Sequence, residues 1–327
     1  MANKAFSLLL RVALVGGCVA FLFNDLDLNG LWAAFRTYNP WLLGLIGALV
    51  PMAFLPPALR LVFLSDRQLP FKTAYAGFLL GMGMNNIFPA KLGELFKISY
   101  YKQKSAIPIS RGMGMVFWER FFDLNALLTI GVITALALEK ALLLVPILSV
   151  VGGFWAFLLL DYHLPNLARH LLRLIPFEAG RAFARDVLDH LRDRLQVRFL
   201  VLLGIHTALV WIGYCAMFYI MFNGVGGLGL ATGQAVAVFA ITSMGAALPS
   251  SPGALGVYEA AVVLALGWFG VAKEEALALA VTFHLIQMIP MMAGAAFILM
   301  GTDINPWTML RNKSLAQDDT KDAHHGG

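Results

Sequence analysis

Several apolar runs in this chain reach roughly 18 residues or more, long enough for a helix to cross a bilayer. No other sequence feature restricts the fold as much. In hydrocarbon the backbone N–H and C=O groups must pair within the protein, and a run of this length meets that demand as a helix. The candidate spans are 5–23, 40–64, 111–137, 141–160, 199–222 and 276–300. Composition agrees: 59% of the 327 residues are hydrophobic and 13% are charged, against about 25% charged in a soluble domain. The chain therefore reads as an all-α polytopic membrane protein. It has no GxGxxG after a strand, no Walker loop and no CxxC, so the usual soluble nucleotide and dithiol chemistries are not indicated. Cys18 and Cys215 lie in apolar runs and read as inert thiols, without a disulfide. Arg11 interrupts the apolar core of the N-terminal segment, which favours a retained first span over a cleaved signal.

Orientation follows from Lys and Arg in short loops. Lys4 and Arg11 place the N-terminus inside. The segment 162–198 carries Arg169, Arg173, Arg181, Arg185, Arg192, Arg194 and Arg198 and is expected to be cytoplasmic. The loop 223–228 is uncharged and suits the outside, and Arg311 and Lys313 put the C-terminus inside. Within the linker 161–198, Phe183, Val187, Leu188, Leu191 and Leu195 share one helical face with arginines opposite. This is the pattern of an amphipathic helix lying on the inner leaflet.

Two further hydrophobic stretches, 71–104 and 229–270, do not read as single helices. One is interrupted by "NNIFPAKLGE" and the other by "GAALPSSPGALGVYEAA", residues 245–261. The orientation signals agree only if each stretch enters and leaves on the same side, as a re-entrant hairpin. The expected architecture is then about six full spans plus two hairpins, in a single transmembrane domain over 1–305 followed by a polar tail, 306–327. It contains two units of opposite orientation. Repeat one is 40–137 and repeat two is 199–300. Pro89 and Gly93 in the first break match Pro249 and Gly253 in the second, both four apart. Inverted repeats with broken helices place transporter sites at the repeat interface.

Backbone that leaves the helix inside a membrane is tolerated only where protein or a water-filled cavity covers it. Pro89, Gly93, Pro249, Pro252 and Gly256 are the residues expected to build the breaks. Ser250 and Ser251 are expected to cap the following helix. A helix start at mid-depth offers N–H groups and a positive dipole end to an anionic group such as a lipid phosphate. Asn85 and Asn86 supply amides at the first break, and Lys91 and Glu94 are ionisable beside it, as a neighbour pair or as headgroup contacts. In "WERFFDL", Glu119 and Asp123 share a helical face with Arg120 three residues before Asp123. Glu119 lies about 12 Å along a helix that starts near Arg111. These three form either a structural ion-pair cluster or a headgroup or proton site. In repeat two, Glu259 closes the break, and His284 stands in the last span as the approximate counterpart of Arg120. The candidate substrate-binding set is thus Asn85, Asn86, Lys91, Glu94, Glu119, Arg120, Asp123, Ser250, Ser251, Gly253, Glu259 and His284. No nucleophile or metal-ligand set accompanies the carboxylates, so no enzyme activity, metal or cofactor is expected.

"NNIFPAKLGELFK", "MVFWERFFDL" and "LPSSPGALGVYEAA", in this order and spacing, resemble the lysylphosphatidylglycerol synthase transmembrane-region family over roughly residues 5–305. The resemblance implies a bacterial inner-membrane protein that binds or moves a phospholipid-like substrate. His284 stands where relatives are expected to have arginine. No aminoacyl-transferase domain is recognised in the sequence, so lysyl-lipid synthesis is not expected. The function expected from sequence is a flippase-like lipid translocase, or lipid-binding transporter, for an anionic or phosphate-bearing lipid. The alternatives are a non-transporting partner of a lipid-modifying, hopanoid or polyprenyl pathway enzyme and, behind it, an intramembrane lipid-phosphate transferase or hydrolase. The expected partner is the membrane lipid itself, with no nucleic acid. Protein partners left open are a second copy of the chain and a lipid-biosynthesis enzyme.

Overall fold

The computed structural model describes residues 2–88, 91–137, 178–248 and 251–302, with short helical pieces at 148–149, 152–153 and 155–156. Pro89, Pro249 and Ser250, most of the expected span 141–160, the start of the linker and the tail 306–327 lie outside the described residues. The described residues are helical, with no strand among them.

The first helix, α1 (Ala2–Phe23), ends at a turn in which Asp25 takes a left-handed conformation. The sequence reading placed nothing at 28–37. The structure has a second helix there, α2 (Leu28–Thr37), bent 85° from α1. Asp27 caps it by accepting from the Asn29 amide at 2.9 Å. A third start, at α3 (Pro40–Ala53), is fixed by Asn39, whose side chain accepts from the Trp41 amide, with Pro40 at the first helical position. α3 runs into α4 (Leu55–Leu64), and together they cover the expected span 40–64.

The stretch 71–104 is two helices, as its break predicts: α5 (Phe71–Ile87) and α6 (Gly93–Ser105). They pack tightly against each other, and Gly93 is the closest approach. A Cβ there would strike the Gly81 carbonyl oxygen and the Asn85 side chain. Asn85 spans the break by accepting from the Gly93 amide at 2.8 Å. α7 (Ile109–Ala137) follows, 29 residues long, or about 43 Å at 1.5 Å per residue.

α8 (Glu178–Arg192) is the expected amphipathic helix. Its apolar side does not simply rest on lipid: Leu191 is buried, and Val187 and Leu195 pack on the protein core beside α7. Beyond it, Arg194 pairs with Asp66, which also takes Arg111 at 2.7 Å. α9 (Val197–Tyr219) continues as a π-helical turn, Ile220–Val225. The loop that follows is closed by Asn223, which both donates to the Leu230 carbonyl and accepts from its amide, each at 2.8 Å.

The stretch 229–270 is again two helices, α10 (Thr232–Ala247) and α11 (Val257–Gly267), with a short 3₁₀ turn at Pro252–Ala254 between them. Gly253 and Gly256 there have φ of 63° and 83°, the left-handed region in which glycine carries no steric cost. Ser251 does not cap α11. Its hydroxyl donates to the Leu255 carbonyl at 2.7 Å, and the cap position is Gly256, whose amide donates to Glu259 at 2.6 Å. Closing the described fold, α12 (Lys273–Met300) is continuous through Pro290.

Among the described residues three helices, Pro40–Leu64, Val197–Val225 and Lys273–Met300, are long and apolar enough to cross a membrane, and the bent α1–α2 pair makes up to four. α7 has the length, but Arg111, Glu119, Arg120 and Asp123 lower its apolar character. The packing is reciprocal. α4 lies against α9, α5 against α12 and α7 against α10, while α5–α6 and α10–α11 are each paired in sequence. Two apolar cores result, one centred on α4 to α7 and the other on α9 to α12 with α1 to α3.

Candidate functional site

Six ionisable side chains from three helices form a closed ring. Arg60 of α4 contacts Glu119 of α7 at 3.5 Å, and Glu119 takes Lys97 of α6 at 2.6 Å. Lys97 reaches Glu94 at 2.6 Å, and Glu94 takes Arg120 at 3.0 Å. Arg120 contacts Asp123 at 3.6 Å, and Asp123 returns to Arg60 at 2.6 Å. Each carboxylate touches two cations and each cation two carboxylates. This is the arrangement that makes buried charge tolerable: Arg60, Lys97 and Glu119 are 1%, 2% and 0% exposed, and unpaired charges there would be prohibitive. Arg60 grips Asp123 through both guanidinium nitrogens, at 2.6 and 3.2 Å. The ring is also tied to α9. Thr207 accepts from Arg60 at 3.2 Å, and the Trp211 indole donates to Asp123 at 3.1 Å.

One side of the ring opens on a cavity of about 440 Å³ enclosed by both halves of the molecule. Its wall is mainly aromatic and aliphatic, including Phe54, Phe78, Phe218, Phe239 and Phe283, with Arg120, Asp123 and Lys91 as its charged groups beside Arg60. A second chamber of about 280 Å³ adjoins it. The two share Lys91, Arg120, Tyr258, Gln287 and Met291 in their walls. The side chain of Arg120 is 43% exposed, and the surface it leaves free faces these chambers.

The smaller chamber gathers the two breaks. Asn85, Asn86, Ser251, Gly253 and His284 all line it. Gly253 fits against the end of α5, where a Cβ would come within 3.3 Å of the Asn86 side-chain oxygen. His284 and Glu259 form a buried pair at 2.5 Å, and the Tyr258 ring lies 4.4 Å from the imidazole, centroid to centroid. A similar contact thus recurs beside each break. Arg120 reaches back to Glu94, 26 residues before it, and His284 to Glu259, 25 residues before it.

The structure therefore brings Asn85, Asn86, Lys91, Arg120, Asp123, Ser251, Gly253 and His284 to one pair of chambers. Glu94, Glu119 and Glu259 stand behind the wall, holding its cations and its break. The neighbour pair of Lys91 with Glu94 does not form, because Glu94 is taken by Lys97 and Arg120. Sequence reasoning missed Arg60 and Lys97, half of the cations near the site, and Trp211, Tyr214 and Met291 in the wall. Arg60 carried a readable signal as the one charged residue of the span 40–64.

Residues 8–295 match the model of the lysylphosphatidylglycerol synthase TM region. A stretch of 54 residues is 43% identical to a UPF0104 membrane protein of Methanocaldococcus jannaschii, and it makes up 16% of this chain and 23% of that protein. The match to the family model runs from α1 into α12 and so takes in both breaks, the ring and the walls of both chambers. On that ground the chain belongs to the lysylphosphatidylglycerol synthase transmembrane-region family.

Proposed function

We propose that the protein is a lipid translocase that carries a lipid with an anionic headgroup from one leaflet to the other. The observation that carries this reading is the shared wall of the two chambers. Cationic Lys91 and Arg120 stand in the wall shared by two mainly apolar chambers, of about 440 and 280 Å³, the smaller of which also takes Asn85, Asn86, Ser251 and His284. A headgroup held there meets the cations and these polar groups, and its chains extend along the apolar walls. The reciprocal packing of α5 with α12 and of α7 with α10 supports two inverted repeats, 40–137 and 199–300, with the broken helix pairs as re-entrant hairpins. In this arrangement the breaks meet near mid-depth, and rocking of one unit against the other opens the chambers to each leaflet in turn. The membrane is the bacterial inner membrane, with both termini cytoplasmic. The site holds and moves a lipid without making or breaking bonds. Every carboxylate of the ring is engaged by two cations, so none is a free base.

The test is reconstitution into liposomes containing phosphatidylglycerol labelled on an acyl chain near the headgroup. The protein is expected to make the inner-leaflet label accessible to a membrane-impermeant quencher, and Arg120→Gln to abolish that access. Lipid retained on the purified protein without exchange between leaflets would sink translocation. It would leave the protein as a lipid-holding partner of another membrane enzyme.

A further inference from the structure

The charges around the chambers are not all paired. The ring contains three cations and three carboxylates, all in mutual ion pairs. Lys91 is a fourth cation. It lines both chambers, is exposed on their wall, and makes no salt bridge among the described residues. The remaining carboxylate nearby, Glu259, is 6% exposed and is turned to His284 and to the Gly256 amide. The backbone of Lys91 adds an independent observation: its φ of 55° is left-handed. A long side chain rarely adopts this conformation, and such residues persist where the surrounding fold imposes them, often at ligand sites. The fold thus places one unpaired ammonium at the junction of the two chambers.

We propose that the headgroup taken by this site carries a single net negative charge, as a phosphodiester does, and that Lys91 is the residue that reads it. The inference rests on the reading of the chambers as a lipid site and adds the charge of the lipid. One negative charge is met by Lys91 with the ring left intact. A second would fall to Arg120, whose charge Glu94 and Asp123 already share. A phosphomonoester carries between one and two charges near neutral pH and so fits less well. A zwitterion of zero net charge leaves Lys91 without a counterion of its own.

The experiment is lipid titration of the purified full-length protein in neutral detergent, read by native mass spectrometry. The probes are phosphatidylglycerol, phosphatidic acid and phosphatidylcholine with identical chains, and glycerophosphoglycerol, the first headgroup without chains. Wild type is expected to prefer phosphatidylglycerol over phosphatidylcholine by about tenfold, a difference of one order in Kd, and to bind phosphatidic acid no more tightly than phosphatidylglycerol. Lys91→Met is expected to lose that preference, so that the two lipids bind alike, and Lys91→Arg to keep it. Lys91→Gln serves if the Met variant does not give folded protein. A preference that survives in Lys91→Met, equal binding of phosphatidylglycerol and phosphatidylcholine by wild type, or tighter binding of phosphatidic acid overturns the inference while the lipid site stands. Failure of wild type to bind any of the three lipids overturns the lipid reading itself. Glycerophosphoglycerol binding as tightly as the lipid would uphold the single charge and move the ligand from the bilayer to solution.

Discussion

The two halves of the molecule make the same contact with different chemistry. In the first, Arg120 reaches back to Glu94 across the start of α6, and in the second His284 reaches back to Glu259 across the start of α11. From those anchors the halves diverge position by position. Glu119, one residue before Arg120, corresponds to Phe283, one before His284. Lys97, three after Glu94, corresponds to Val262, three after Glu259. Asp123 corresponds to Gln287. The first half fills its interior with a ring of six charges, whereas the second has Phe283 and Val262, 2% and 0% exposed, at the positions counted from its own anchors. Burial at these positions does not by itself require charge. Buried ion pairs are seldom better for stability than well-packed apolar groups. The ring is better understood as holding Arg120 and Asp123 at the chamber wall.

The comparison breaks most sharply at Glu119. Glu119→Ala leaves Arg60 and Lys97 buried without the carboxylate they share, and it is expected to cost about 3–5 kcal/mol, measured as a fall in the unfolding midpoint in detergent. Its counterpart, Phe283→Ala, removes contacts with Phe218 and Phe222 and is expected to cost about 3 kcal/mol. The distinction lies in rescue. Combining Glu119→Leu with Arg60→Met and Lys97→Met should restore much of the stability, whereas a second apolar truncation beside Phe283 should only deepen the loss. A triple variant less stable than Glu119→Ala would refute the view that the ring is dispensable for folding.

Glu259→Gln sharpens the comparison from the other side. It weakens one charge-assisted pair and one cap, with an expected loss of about 1–2 kcal/mol, smaller than at Glu119 because no second buried cation is stranded. A loss equal to that of Glu119→Ala would show that the second half depends on charge as much as the first. The smallest effect is expected at Asp66, which takes Arg111 and Arg194 where 53% of its side chain is exposed. Asp66→Asn should cost under about 1 kcal/mol, and the difference should shrink as salt is raised. A large, salt-independent loss would mean that this cluster is a buried joint between α8 and the helices beside it.

Much of this was legible in the sequence because membrane helices announce their interruptions. Proline and glycine inside an apolar run located both breaks, and i to i+3 and i+4 spacing located Arg120 beside Asp123 and Glu119. The arithmetic that pairs them was hidden. Arg60 stands alone on its own helix, with Glu119 59 residues away, and Lys97 has Glu94 beside it but its other partner, Glu119, 22 residues away. Only tertiary packing closes the ring. Local spacing suggested a pair between Lys91 and Glu94, but the turn of α6 gives Glu94 to Lys97 instead. The α2 helix went unread because its ten residues are too few to cross a bilayer, the signal by which the spans were found. Ser251 was read as a cap by its residue type, yet a hydroxyl beside a broken backbone has several free carbonyls to choose from, and it took Leu255.

Lys273 gives the fold a constraint in time. Its ammonium donates to the carbonyls of Phe21 and Asn24 at 2.8 and 2.5 Å, sealing the end of α1 from 252 and 249 residues further along. α1 leaves the ribosome well before α12, the helix that carries the cation closing its end. Until then α1 has no α11 to lie against, and the break at Gly256, which it flanks through Val15 and Val19, does not yet exist. α1 must therefore wait in the bilayer for α12, and the second half of the molecule assembles around a piece of chain that preceded the first.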